Sequence, residues 1–227
     1  MRILEVTFYS RNVAGQEQFY RDILNLTILE KSDYHFTCQM GYTRVTFRYW
    51  HEVNPYHYAI TIPANAEYSA LEWLKQRVEI QKNGDEELVD FSNWNAMSMY
   101  FYDADYNIIE FIARKNLDTA IWQTFSSENL VGVSELGIPV DDIEPIYKQL
   151  HRLTGVEIFD GNFDKFCAIG DEEGLFIVID KNRKKWFPTG DKAYSSPLMC
   201  LLQEEGRIRK VGFSSGEGLQ LFTESEK

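Results

Sequence analysis

The sequence predicts an α+β fold of tandem β-α-β-β-β units arranged in two domains. One order of strand, helix and further strands runs twice through residues 1–115, and it starts a third time after a polar segment. A repeated order of elements indicates an architecture more strongly than any single motif does. The predicted domains are residues 1–115, with two units, and residues 131–227, a degenerate domain of the same type with a shortened last unit. A linker at 116–130 joins them.

The first unit begins with a strand at residues 3–10, where apolar and β-branched side chains alternate with polar ones. A helix is predicted at residues 14–24 because apolar side chains in its second half recur at helical spacing, and Asn12 is its candidate N-cap. Alternating apolar residues then predict strands at 27–31, 35–39 and 44–50.

The second unit repeats this order with a strand at residues 56–62 and a helix at 69–77. Strands follow at 78–81, 88–91, 97–102 and 107–113. The last two are joined by a four-residue segment rich in aspartate, which is typical of a hairpin.

The third unit starts with a strand at residues 131–140 and a helix at 143–153, for which Asp141 and Asp142 are cap candidates. Strands are predicted at 156–159, 165–169 and 175–179. The final stretch, 197–222, shows short apolar runs and glycine-containing turns but no helical pattern, so we interpret it as an all-strand fourth unit.

The charge balance argues against nucleic acid and anionic membrane surfaces as partners. The formal net charge is -12, and the only basic cluster is the short run at 181–185, which we interpret as a solvated loop. No apolar stretch approaches the ~18 residues of a membrane span, and Glu5 interrupts the place where a signal peptide would need an apolar run. The three cysteines are far apart, which favours free thiols in a reducing compartment. A cytoplasmic location is therefore expected.

Two motifs resemble those of the vicinal oxygen chelate superfamily, which includes glyoxalases, bleomycin resistance proteins and dioxygenases. FYRDILNL at residues 19–26 resembles a helix end of that family, and MYFYDADYNIIEF at 99–111 resembles its β-hairpin. The hairpin match is the more specific, because it places a turn, a strand and one acidic residue together. Tyr106 stands where the family usually has glycine, so a positive φ there would be costly.

The resemblance implies half-open barrel sheets formed by paired units, with a divalent metal held by side chains from the first and last strands. His57 and Glu110 match the family's ligand positions in the second unit, and Glu5 stands in the first unit where many members have histidine. The resulting prediction is a metal trio of Glu5, His57 and Glu110, with the two glutamates as candidate catalytic bases. One imidazole and two carboxylates suit Zn, Ni, Mn or Fe.

Other interpretations of these side chains stay open. Glu5 is also consistent with a surface position, His57 with the wall of an apolar pocket, and Glu110 with an ion pair to Arg44 or Arg48. In the third unit Glu135 repeats the position of Glu5, whereas Val178 replaces the acid of the last strand, so residues 131–227 are expected to support the site rather than form it. The segment 186–188 is an aromatic cluster that suits core packing better than a lid. The predicted substrate-binding residues are Tyr9, Arg48, Trp94 and Tyr100.

The leading functional hypothesis is a metal-dependent lyase or isomerase acting on a small molecule with vicinal oxygens. A dioxygenase fits less well, because the trio offers one histidine and Fe(II) oxygenases favour two. The alternatives are a small-molecule (drug) binding protein that uses no metal and a degenerate scaffold that acts through protein contacts. The chain is expected to be a monomer or a homodimer.

Overall fold

Two open mixed β-sheets and three short helices make up the structure, a computed structural model that describes residues 1–214 and 218–222. The first unit comprises β1 Arg2–Ser10, α1 Val13–Gln18 with a π-helical turn Phe19–Ile23, β2 Ile28–Lys31, β3 His35–Met40 and β4 Thr43–Tyr49. The Asn12 side chain accepts a hydrogen bond from the backbone N–H of Gly15 at 3.1 Å, which confirms the predicted cap.

The second and third units each carry one helix. The second comprises β5 His57–Ile62, α2 Glu67–Lys75, β6 Ile80–Gln81, β7 Val89–Phe91, β8 Ala96–Tyr102 and β9 Ile108–Arg114. The third comprises β10 Gly132–Val140, α3 Ile143–Thr154, β11 Ile158–Asn162, β12 Phe166–Asp171 and β13 Gly174–Asp180. Asp142 caps α3 by accepting from the backbone N–H of Glu144 at 3.2 Å, whereas Asp141 pairs with Lys181 instead.

The fourth unit comprises β14 Leu198–Glu204, β15 Arg207–Ser214 and β16 Gly218–Phe222. Its described residues contain no helix, in agreement with the prediction of an all-strand unit. Strand pairing joins this unit to the first one, because β1 lies between β14 and β4.

The two sheets pair the units in a way that local patterns did not indicate. The first sheet has the order β16-β15-β14-β1-β4-β3-β2, and the second has the order β11-β12-β13-β10-β5-β9-β8-β6, with β7 paired to β8. The first unit thus pairs with the fourth, and the second pairs with the third through antiparallel β5 and β10. Each sheet thus contains strands from both predicted domains, residues 1–115 and 131–227. The division of the chain into these two domains stays a prediction.

The main core lies between the sheets, and the opposite face of the second sheet curls around a cavity. Phe8 of the first sheet stacks on Tyr58 of the second with ring centroids 4.7 Å apart, and both belong to one buried apolar cluster. Burying side chains of this size stabilises a fold by roughly 1.5–3 kcal/mol each. Within the described residues, no helix has both the length and the apolar character needed to cross a bilayer.

The β8–β9 hairpin is held by a buried carboxylate at its turn. Asp103 Oδ1 accepts from the backbone N–H groups of Asp105 and Asn107 at 2.9 and 3.0 Å, while Oδ2 accepts from Gln16 at 2.9 Å. Tyr106 has a φ of 61°, so it adopts the left-handed conformation for which glycine would be better suited. Burial raises the pKa of Asp103 to about 6. This anchored turn sets the start of β9, the strand that carries Glu110.

Candidate functional site

Three neighbouring strands of the second sheet bring one histidine and two glutamates together. Ala59 on β5 is in register with Glu110 on β9 and with Glu135 on β10, and His57 lies two residues earlier on the same face of β5. All three side chains are buried, and each offers one ligand atom within 4.8 Å of the others. We refer to His57, Glu110 and Glu135 as the His-Glu-Glu cluster.

His57 is oriented by a backbone hydrogen bond. Its Nδ1 lies 3.1 Å from the carbonyl oxygen of Ile108, so the assigned tautomer donates from Nδ1 and leaves the Nε2 lone pair free. Nε2 is 3.6 Å from Glu110 Oε2. Burial lowers the pKa of His57 to about 4, which keeps the imidazole neutral near pH 7. A neutral ring whose other nitrogen bonds to a carbonyl is the form in which histidine binds metals.

Glu110 is a buried acid with no Lys or Arg partner in the described part of the chain. Burial, followed by the nearby charge of Glu135, raises its pKa to about 8. Arg44 lies in the first sheet, 3.7 Å from Glu5, and Arg48 is exposed there, so neither forms the ion pair considered from the sequence. A buried carboxyl of this kind either keeps its proton or needs a cation close by.

Glu135 does have a basic partner, Arg114, the last residue of β9. Arg114 Nη2 donates to Glu135 Oε1, and both side chains are almost completely buried. The guanidinium carbon also lies 5.4 Å from the centre of the Trp94 ring. Burial raises the pKa of Glu135, and the positive charge of Arg114 opposes that effect.

The cluster forms part of the wall of a cavity of about 510 Å³. The aromatic side chains that line this cavity are Phe91, Trp94, Tyr100, Phe166, Trp186 and Phe187. Trp94 Nε1 donates to Asp160 Oδ2 at 2.6 Å, and the Trp186 ring centre lies 4.8 Å from that of His57. Lys184 also lines the cavity and contributes an ammonium group. A mostly apolar cavity of this volume with a few polar groups is typical of a small-molecule site.

The structure places the predicted ligand Glu5 elsewhere. Glu5 lies on β1 in the first sheet, its side chain is 52% exposed, and its charged neighbour is Arg44. The physical reason is the pairing of units: β5 pairs with β10 rather than with β1, so Glu135 joins His57 and Glu110. The repetition of the Glu5 position at Glu135 was the one sequence signal that could have identified the third residue.

The predicted substrate-binding residues fall into two groups. Trp94 and Tyr100 line the cavity beside the cluster. Tyr9 lines a separate pocket of about 50 Å³ that also includes Arg11, and Arg48 is exposed on β4, so the structure does not bring these two to the cluster. Trp186, which sequence reasoning favoured as a core residue, is 6% exposed and lines the cavity.

On β13 the residues that face the cavity are Ile177 and Ile179 rather than Val178. Val178 belongs to the core between the sheets, whereas Ile177 lines the cavity, one residue out of the register inferred from the sequence. Both side chains are apolar, so the third unit contributes Glu135 alone to the cluster. Three protein ligands with further positions open is the arrangement of a catalytic metal site. The cluster fits a divalent cation, since Glu110 is a buried acid without a basic partner among the described residues.

Comparison with known proteins supports the fold. No family model matches the sequence, and the comparison with curated proteins gives no match. Among solved structures, glyoxalase I from Zea mays is 13% identical, with a TM-score of 0.56 over 96% of this chain and 90% of that one. A candidate dioxygenase from Bacillus subtilis is 16% identical, with a TM-score of 0.58 over 79% of this chain. The match spans 63% of the length of the Bacillus protein. The strand order, the unit repeat and these two likenesses together show that the chain has the fold of the vicinal oxygen chelate superfamily.

Proposed function

We propose that the chain is a metal-dependent enzyme that acts on a small molecule with two adjacent oxygen atoms. The observation that carries this proposal is the convergence of three buried donor side chains on one cavity wall. His57, Glu110 and Glu135 would hold the metal, and a bound divalent ion supplies Lewis acidity to substrate oxygens.

Glu110 is the proposed general base. Burial makes its carboxylate more basic than that of an exposed glutamate, and a bound metal would hold it ionised so that it could accept a proton. The aromatic walls, among them Tyr100 and Trp186, would orient a flat substrate and exclude water from the reacting atoms. Proton transfer between neighbouring carbons is the chemistry of a lyase or isomerase. That class fits one histidine and two glutamates better than an Fe(II) dioxygenase does.

A second function is supported by a specific contact. Because Arg114 already engages Glu135, the cluster has an internal cation, and a protein that binds small aromatic compounds without a metal would show the same pocket. On that alternative, ligand binding would be unaffected by chelators.

Metal analysis of protein purified without chelators or affinity metals tests the proposal. We expect about one equivalent of Zn, Ni, Mn or Fe in the parent chain, lost in His57→Ala, Glu110→Gln and Glu135→Gln. The matched control is Glu5→Gln, which changes an exposed glutamate of the first sheet and should retain the metal. A metal-bearing protein would then be assayed with glyoxalase-type and epimerase-type substrates. Absence of metal from the parent chain, even after incubation with each ion, would contradict the proposal and favour the metal-free binding function.

A further inference from the structure

Arg114 is a basic residue in direct contact with the His-Glu-Glu cluster, through Glu135. It lies four residues after Glu110 on β9, so both side chains project from the same face of the strand. Its side chain is 0% exposed and donates to Glu135 Oε1 from Nη2. The contact therefore occupies one of the two oxygens that Glu135 can offer to a metal.

Apart from Glu135 and the face of the Trp94 ring, the guanidinium of Arg114 has no partner among the described residues. Its Nε and Nη1 atoms are buried and lack hydrogen-bond partners there, and Glu135 is its one carboxylate contact. A guanidinium keeps its proton under all ordinary conditions, so the positive charge is permanent. A permanent charge with a single carboxylate partner acts on that partner with little screening by water.

A second glutamate–arginine pair in the chain, Glu5 with Arg44, is not buried in this way. Glu5 and Arg44 occupy the first sheet at a separation of 3.7 Å, with side chains 52% and 49% exposed. Water screens an exposed pair of this kind, and its coupling is weak. The buried pair beside the cluster and the exposed pair on β1 and β4 therefore form a natural test and control.

We propose that Arg114 competes with a divalent metal for Glu135 and lowers the metal affinity of the cluster. With both carboxylates ionised, the guanidinium reduces the net charge offered to the ion from two negative charges to one. It also repels an incoming dication at short range. This inference rests on the proposed metal site, and it identifies the residue that sets how strongly that site binds.

Two substitutions separate the charge of Arg114 from its hydrogen bond. Arg114→Gln keeps a donor for Glu135 and removes the charge, whereas Arg114→Met removes both. Titration calorimetry with Mn²⁺ on chelator-treated protein is expected to show binding at least about tenfold tighter in both variants than in the parent chain. Arg44→Gln, in the exposed pair, should bind Mn²⁺ as the parent does.

If Arg114 only orients Glu135, Arg114→Gln would match the parent and Arg114→Met would bind more weakly, and this result would overturn the inference. Should Arg114→Met fold poorly without metal, its melting temperature with excess Mn²⁺ provides the second measurement. The increase in melting temperature on adding Mn²⁺ should be larger for Arg114→Met than for the parent chain. Mn²⁺ binding by Arg114→Gln but not by the parent would support the inference and contradict the proposed function. Binding by neither would overturn both.

Discussion

Replacement of Glu110 by glutamine should stabilise the metal-free protein at alkaline pH, although it removes a proposed ligand. Glu110 is 4% exposed, and its pKa rises from 4.5 to about 8 on folding. The folded chain therefore holds a proton that the unfolded chain releases between those values. Stability from this group is complete below pH 4.5 and is lost as the pH rises towards 8. Over such a window the loss is on the order of 4 kcal/mol, which Glu110→Gln would avoid.

Urea unfolding of chelator-treated protein at pH 5, 7 and 9 measures this effect. The difference in unfolding free energy between Glu110→Gln and the parent chain should be small at pH 5 and grow with pH in favour of the variant. His57 contributes an opposite slope between about pH 4 and 6.5, but it does so in both proteins and cancels in the difference.

Glu5→Gln is the matched control for this experiment, because the Glu5 side chain is 52% exposed and the substitution should leave the pH profile unchanged. Parallel profiles for Glu110→Gln and the parent chain from pH 5 to 9 would refute the reasoning. They would mean that the native state already holds Glu110 ionised with a partner. Added Mn²⁺ should reverse the order of stability, since only the parent chain keeps the full set of ligands.

Three further predictions concern single contacts of the fold. Glu135→Gln should destabilise the protein by about 3–5 kcal/mol in urea unfolding, because it leaves the buried charge of Arg114 without a carboxylate. A loss below about 1 kcal/mol would show that the pair is solvated. Tyr106→Asn should raise stability by up to about 1 kcal/mol in thermal unfolding, since asparagine tolerates the φ of 61° and the tyrosine is 71% exposed. A lower melting temperature would contradict the account of the turn. Gly137→Ala should cost about 1–3 kcal/mol and shift tryptophan emission, because the added Cβ would lie 2.8 Å from the Trp186 ring. Unchanged emission would show that Trp186 does not pack there.

Much of the local structure follows from the sequence alone. The unit order, the caps at Asn12 and Asp142 and the β8–β9 hairpin are encoded by residues a few positions apart, and the structure contains each of them. His57 and Glu110 belong to one unit, so their proximity follows from parallel pairing of β5 and β9 within it.

The pairing of one unit with another could not be predicted from residues that are close in the sequence. The first strand of the second unit is buried on both faces, and no local pattern in its sequence specifies whether β1 or β10 is its antiparallel neighbour. The choice depends on how whole units pack, which decides that Glu135 rather than Glu5 completes the cluster. The role of Arg114 is hidden from the sequence for a related reason: a basic residue at the end of a strand usually reaches solvent, and only the tertiary structure shows that this one is enclosed.

Glu5 and Glu135 hold equivalent positions in their units, so the difference between them shows what burial changes in a glutamate–arginine pair. Both glutamates lie beside an arginine, yet the first pair is half-exposed and the second is enclosed behind a cavity wall. In water the charge of Arg44 is screened, and either member of that pair can change with little effect on stability. In the enclosed pair, loss of one charge leaves the other uncompensated, so a single replacement of Arg114 or Glu135 costs more stability than a replacement in the exposed pair. The arginine thus compensates the buried charge of Glu135, and by the same contact it would limit how strongly the proposed metal binds.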